Sequence, residues 1–96
     1  MVVRVTFYRY DTTRERELVQ LTEQQLIPAF RRLLGFRRST TGLDRQAGRG
    51  VSLTEWEDLQ SAQGLREGIG PALMQAIADA GGQLEAPQFY EVVAQS

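Results

Sequence analysis

The chain opens with an alternation of apolar and polar positions. Apolar side chains recur at every second position from Val3 to Phe7, and polar or aromatic ones recur from Arg4 to Tyr8. This period of two, in a stretch rich in β-branched and aromatic residues, predicts a strand over 2–10.

The periodicity then becomes helical. Four apolar residues at offsets of 0, 7, 11 and 14 share one helical face: Val19, Leu26, Phe30 and Leu33. They predict a helix over 13–34 that ends at Gly35. Pro28 lies inside it and removes one backbone hydrogen bond, so we expect a kink or restart within 21–28.

The middle of the chain reads as a β-hairpin. A Ser/Thr-rich strand is predicted over 36–44 and a second over 51–56, joined by a turn at 46–50 that contains two glycines.

The last part of the chain predicts a broken helix and a final strand. Asp58 is placed to cap a short helix that ends at Gly68, and Gly70 followed by Pro71 opens another. The strand follows over 88–94. The order strand, helix, strand, strand, broken helix, strand is typical of the split βαβ plan. We therefore expect a single α+β domain over 1–96, with a four-stranded antiparallel sheet and helices on one face.

Period-two alternation also divides the sheet into two faces. We expect the helices to cover Val3, Val5, Phe7, Val51 and Leu53. The other face would then carry Arg4, Thr6, Tyr8, Tyr10, Arg38, Thr40, Ser52, Thr54, Trp56 and Tyr90. A second copy of the chain stacked on this polar and aromatic face would form a homodimer with a ligand cavity. The alternative is that these aromatic side chains form only a dimer core.

Composition narrows the chemistry. The chain has no Cys, His, Lys or Asn. This excludes thiolate nucleophiles, imidazole bases, Schiff-base lysines and Cys/His metal sites, so we expect no metal. No apolar run approaches the roughly 18 residues of a membrane helix, and no signal peptide is recognisable. We expect a cytoplasmic protein without a membrane partner.

All eleven basic residues are Arg and the net charge is -1, which predicts no nucleic-acid partner. Six of these Arg lie within 31–49. The pattern is compatible with a solvated surface or an intersubunit contact, and alternatively with an anion site near Arg37 and Arg38.

Five segments together resemble a known family: 8–10, 26–30, 34–36, 50–58 and 88–92. Within them, P-A-F at 28–30, L-G-F at 34–36 and the strand end W-E at 56–57 resemble recurring marks of the antibiotic biosynthesis monooxygenase-like family of dimeric α+β barrels. The resemblance implies a ferredoxin-like subunit, a homodimer, and a relation to oxygenases that act on aromatic phenols and quinols without a cofactor. The haem-degrading branch of that family uses a His and an Asn, which this chain lacks.

The resemblance and the face assignment together name seven candidate ligand-binding residues: Arg4, Thr6, Tyr8, Arg38, Thr54, Trp56 and Tyr90. An arginine would stabilise a phenolate, a tyrosine would orient it, and Trp56 would stack on its rings. Glu55 is the candidate base. The alternative hypothesis is a non-catalytic dimer that binds a small aromatic molecule or has a structural role.

Overall fold

The computed structural model describes the backbone of residues 1–96 and the side chains of all of them except Arg66 and Glu67. Five antiparallel strands form one sheet: β1 Val2–Tyr10, β2 Phe36–Asp44, β3 Arg49–Trp56, β4 Gly82–Leu84 and β5 Gln88–Glu91. They run in the order β2-β3-β1-β4, and β5 pairs with the same edge of β1 as β4. The predicted α+β, ferredoxin-like fold is confirmed. The sheet has five strands and not the predicted four, because the short β4 has no alternation of apolar and polar residues from which a strand could be predicted.

The first helical segment is interrupted by a π-helical turn just before its proline, within the predicted range 21–28. It comprises α1 Glu15–Leu21, a π-helical turn Thr22–Leu26 and α2 Ile27–Arg31. The N–H of Ile27 reaches back five residues to the Thr22 carbonyl. Pro28 has no N–H to donate, and the wider turn accommodates this defect within the helix.

The second helical segment is broken at glycines. Asp58 caps α3 (Leu59–Gln63), where its Oδ1 accepts from the Ser61 N–H at 2.8 Å. In α4 (Leu65–Asp79) the backbone leaves helical geometry at Gly70, which has φ +78°, so the predicted restart there is confirmed. The predicted end at Gly68 is wrong, because the helix continues through it.

The predicted hairpin of β2 and β3 is confirmed. Thr41 lies opposite Ser52 and Thr40 opposite Leu53, and the register shifts between Phe36 and Arg38. This shift marks a β-bulge, which adds one residue to β2 beside its first pair.

The assignment of the two sheet faces is wrong, and the structure inverts it. The helices cover Thr6, Tyr8 and Tyr10 of β1, with Thr54 and Trp56 of β3, and all five are buried. The aliphatic face, which carries Val3, Val5, Phe7, Val51 and Leu53, is the open one, and Phe7 is 41% exposed. One face of β1 is aliphatic and aromatic and the other carries two large tyrosine rings, so alternation shows which residues share a face without showing which face the helices cover.

The register also corrects the face assignment of three further residues. Arg38 lies opposite Glu55, Thr40 opposite Leu53, and Tyr90 opposite Val3. Directly opposed residues in an antiparallel pair point to the same side of the sheet. Arg38, Thr40 and Tyr90 therefore belong to the open face, away from Tyr8 and Trp56.

Candidate ligand-binding cavity

A cavity of approximately 350 Å³ lies between the sheet and the helices. We call it the main cavity. Its helix side is apolar and comes from α1, the π turn, α2 and α4: Leu18, Leu26, Phe30, Leu65, Ile69, Met74 and Ile77. Its sheet side is more polar and includes Arg4, Thr6, Tyr8, Thr41 and Ser52. An apolar wall facing a few hydrogen-bonding groups is the usual construction of a small-molecule site.

Thr6 supplies an unpaired hydroxyl to this cavity. The residue is 6% exposed, and its Oγ1 is buried without a hydrogen-bond partner. A buried polar group without a partner is costly, and such groups are rare in proteins.

Tyr8 stands beside Thr6 on the same face of β1. Its ring lies over Gly50 of β3, where a Cβ would approach the Tyr8 hydroxyl to 2.5 Å. Burial, and secondarily the charge of Tyr10, raises the pKa of Tyr8 to about 12. The phenol therefore stays protonated near neutral pH and can donate a hydrogen bond to an anionic ligand, but it is not a base.

Arg4 provides the positive charge in the main cavity. It is partly buried, and its guanidinium carbon lies 6.0 Å from the centre of the Phe89 ring, within cation–π range. Phe89 is opposite Arg4 in the β1–β5 pair, so sheet pairing holds the two together.

Thr54 and Trp56 share the face of Arg4, Thr6 and Tyr8 but do not line the main cavity. Trp56 is fully buried and packs edge-on against Phe36, with 5.4 Å between the centres of the two rings. Its indole N–H donates to the Thr54 hydroxyl at 2.8 Å. This geometry makes Trp56 part of the core instead of a stacking platform.

The last two candidates lie on the open face. Arg38 forms an ion pair with Glu55 at 2.9 Å, and the Tyr90 hydroxyl donates to the Gln88 side chain at 2.7 Å. The structure thus brings Arg4, Thr6 and Tyr8 together at one cavity and separates them from Arg38 and Tyr90.

Glu55 is not placed to act as the base. It lies on the open face, where Arg38 and Gln95 both donate to it. Among the described residues that line the main cavity, Glu85 is the carboxylate, and it pairs with Arg49 at 3.1 Å. Nowhere in the described part of the chain do three or more potential metal-ligating side chains cluster.

Sequence reasoning missed the helix side of this cavity. Helical periodicity marks Leu26 and Phe30 as facing the sheet, but it cannot show that the packed layers leave a space between them.

The described helices include none long and apolar enough to cross a membrane.

The architecture of this chain is also found in proteins of known structure. No family model matches the sequence, and no curated protein matches it at a significant level. Solved structures do match. The cofactor-independent oxygenase SnoaB from Streptomyces nogalater superposes with a TM-score of 0.74 and 16% identity, over 98% of this chain and 94% of its own.

Two further structures extend the comparison. A monooxygenase from the gene ActVA-Orf6 of Streptomyces coelicolor, solved with the ligand nanaomycin D, has a TM-score of 0.70 and 20% identity, over 99% of this chain and 92% of its own. A dimeric ferredoxin-like protein from an uncultured marine organism has a TM-score of 0.77 and 17% identity, over 100% and 98%. The resemblance noted from the sequence is confirmed at the level of structure: the chain has the ferredoxin-like fold found in antibiotic biosynthesis monooxygenase-like proteins.

Proposed function

We propose that the protein is a homodimer that binds a small aromatic phenol or quinol in the main cavity and oxygenates it with O₂, without a cofactor. The main cavity carries this proposal. It sets an apolar helix wall against a sheet surface that includes the unpaired Thr6 hydroxyl, the protonated Tyr8 and the Arg4 guanidinium. The oxygenases of the same fold support the choice of reaction.

The open sheet face is the proposed dimer interface. It carries Val3, Val5 and Phe7 on β1, and Val51 and Leu53 on β3, all at least partly exposed in the single chain. A second copy would remove this apolar surface from water, and a dimeric protein of this fold supports the arrangement. The main cavity then lies within each subunit, on the other side of the sheet.

The proposed reaction needs no external reductant. When an anthrone methylene becomes a carbonyl, the substrate gives up two hydrogens and four electrons. One oxygen atom of O₂ enters the product and the other leaves as water. The electron-rich substrate anion reduces O₂, so the protein has to bind that anion and exclude competing water.

The side chains of the main cavity suit such an anion. Tyr8 donates a hydrogen bond to the substrate oxygen, and Arg4 offsets the negative charge. The one carboxylate among the described lining residues is held by Arg49, so the substrate loses its proton to solvent before it enters the main cavity as the anion. The rate should therefore rise with pH through the pKa of the substrate.

The test is anthrone oxidation in air, followed by anthraquinone formation and O₂ consumption against a protein-free control. We expect the protein to accelerate the reaction and Tyr8→Phe to lower kcat/KM by about tenfold, the value of one charge-assisted hydrogen bond. Tyr90→Phe is the matched control on the open face and should retain wild-type activity. Absence of acceleration, or equal losses in both variants, would refute the proposed reaction.

A non-catalytic binding protein is the second candidate function. The lack of an unpaired carboxylate among the described lining residues of the main cavity favours it, because such a protein needs no base. Calorimetric titration separates the two functions. Saturable binding of 1-naphthol without turnover of any oxidisable phenol would support the binding protein and exclude the oxygenase.

A further inference from the structure

A second cavity adjoins the main one. It also measures approximately 350 Å³, and four residues line both spaces: Tyr8, Leu18, Thr22 and Thr41. Two come from the sheet and two from the first helical segment, and we call this shared boundary of the two cavities the neck. The Thr22 hydroxyl donates to the Leu18 carbonyl at 2.9 Å, which holds it at the helix.

Beyond the neck, the lining of the second cavity is about equally polar and apolar, with charged residues at its mouth. Val19, Ile27 and Leu43 are partly buried and line it, and Glu23 and Arg45 are exposed. This is a suitable environment for a flexible hydrocarbon arm that ends near solvent.

The charges at the mouth do not balance. The Arg45 Nε lies 3.1 and 2.9 Å from the two Glu15 oxygens, so its charge is compensated. Glu23 forms no ion pair with any described side chain. The excess is negative, which favours a neutral or cationic end group over a carboxylate.

We propose that the second cavity is a substituent subsite, so that the ligand class is a fused-ring phenol with an apolar arm ending in a neutral or cationic group. This inference rests on the proposed function, because it assumes that the ring system occupies the main cavity. Tyr8 then has two roles: its hydroxyl faces the ligand oxygen, and its ring forms one side of the neck through which the arm passes.

Calorimetric titration of four related ligands tests the inference: 1-naphthol and 1-naphthols carrying at C4 a butyl, an aminobutyl or a carboxypropyl chain. A buried methylene improves affinity by about fourfold, so partial burial of butyl should improve it by at least about tenfold over 1-naphthol. At low salt, the ammonium-ended arm should bind about threefold more tightly than the carboxylate-ended arm.

Three bulky substitutions locate the effect. Val19→Trp fills the second cavity and should abolish the advantage of the butyl chain, while 1-naphthol affinity stays within about twofold of wild type. Met74→Trp fills the main cavity and should weaken both ligands. Leu43→Phe, on β2, is a second way to fill the second cavity if Val19→Trp does not fold.

The outcomes distinguish a failure of the subsite from a failure of the proposed function. If wild-type protein binds 1-naphthol but gains nothing from the butyl chain, or if filling the second cavity leaves that gain intact, the subsite is refuted and the proposed function stands. If wild-type protein does not bind 1-naphthol, the proposed function fails, and the subsite fails with it.

Discussion

Replacing Gly50 by alanine would place a methyl group against the Tyr8 ring. Gly50 lies opposite Tyr8 in the β1–β3 pair, on the side of the sheet that the helices cover. A Cβ at this position would lie 2.5 Å from the Tyr8 hydroxyl oxygen and closer still to the ring carbons Cζ and Cε2. Ordinary contacts begin at 3.4 Å, so the ring must move by about 1 Å.

The magnitude follows from two opposing terms. Displacing the Tyr8 ring from its packed position costs about 1–3 kcal/mol, and alanine in a strand recovers about 0.5–1 kcal/mol of backbone entropy relative to glycine. We expect Gly50→Ala to lower the free energy of unfolding by about 1–2 kcal/mol. For a domain of this size, that corresponds to a fall in Tm of about 5–15 °C.

Thermal denaturation at one fixed protein concentration is the assay, because the stability of the proposed dimer would depend on concentration. The matched measurement is the same substitution in a Tyr8→Leu background. Leucine lacks the ring atoms that the new methyl group would meet, so Gly50→Ala should cost little there. An equal loss in both backgrounds would show that the Tyr8 ring is not what excludes a side chain from position 50.

Three further predictions test the core, the titration of the cavity tyrosine and the interface. Thr54→Val keeps the side-chain shape but leaves the buried Trp56 indole N–H without its acceptor. Urea denaturation should show that the free energy of unfolding falls by about 1–3 kcal/mol. A fall of less than about 0.5 kcal/mol would contradict this prediction. The raised pKa of Tyr8, about 12, contributes stability that is fully present below pH 10 and is lost as the pH rises through 12. Wild type should therefore lose up to about 3 kcal/mol more than Tyr8→Phe between pH 9 and 12, and parallel stability curves would disprove this. Val5→Arg on the open face should weaken the proposed dimer by at least about 100-fold in analytical ultracentrifugation, because it buries an unpaired charge at the interface. Gln20→Arg, on the exposed side of α1, is the control and should leave dimerisation unchanged. A Val5→Arg protein that remains dimeric would place the interface elsewhere.

Much of the local structure is predictable because it depends on neighbouring residues. The Ser/Thr-rich strand over 36–44 and the hairpin that follows it are read from β propensity and turn residues. The interruption before Pro28 and the restart at Gly70 follow from the covalent geometry of proline and glycine. β4 was not predictable in this way, because its three residues begin at the second glycine of a pair and form a strand only when the edge of β1 is available to pair with them.

Tertiary structure decided which sheet face meets the helices, and with it most of the candidate site. Alternation correctly groups Arg4, Thr6 and Tyr8, since period two is a property of the strand itself. It does not show which of the two faces a helix covers, because both carry large side chains that can be buried. The large rings of Tyr8 and Trp56 lie under the helices, and Val5 and Phe7 lie on the open side. Whether packed layers leave a space depends on how distant side chains fit together, so the main cavity belongs to the three-dimensional structure alone.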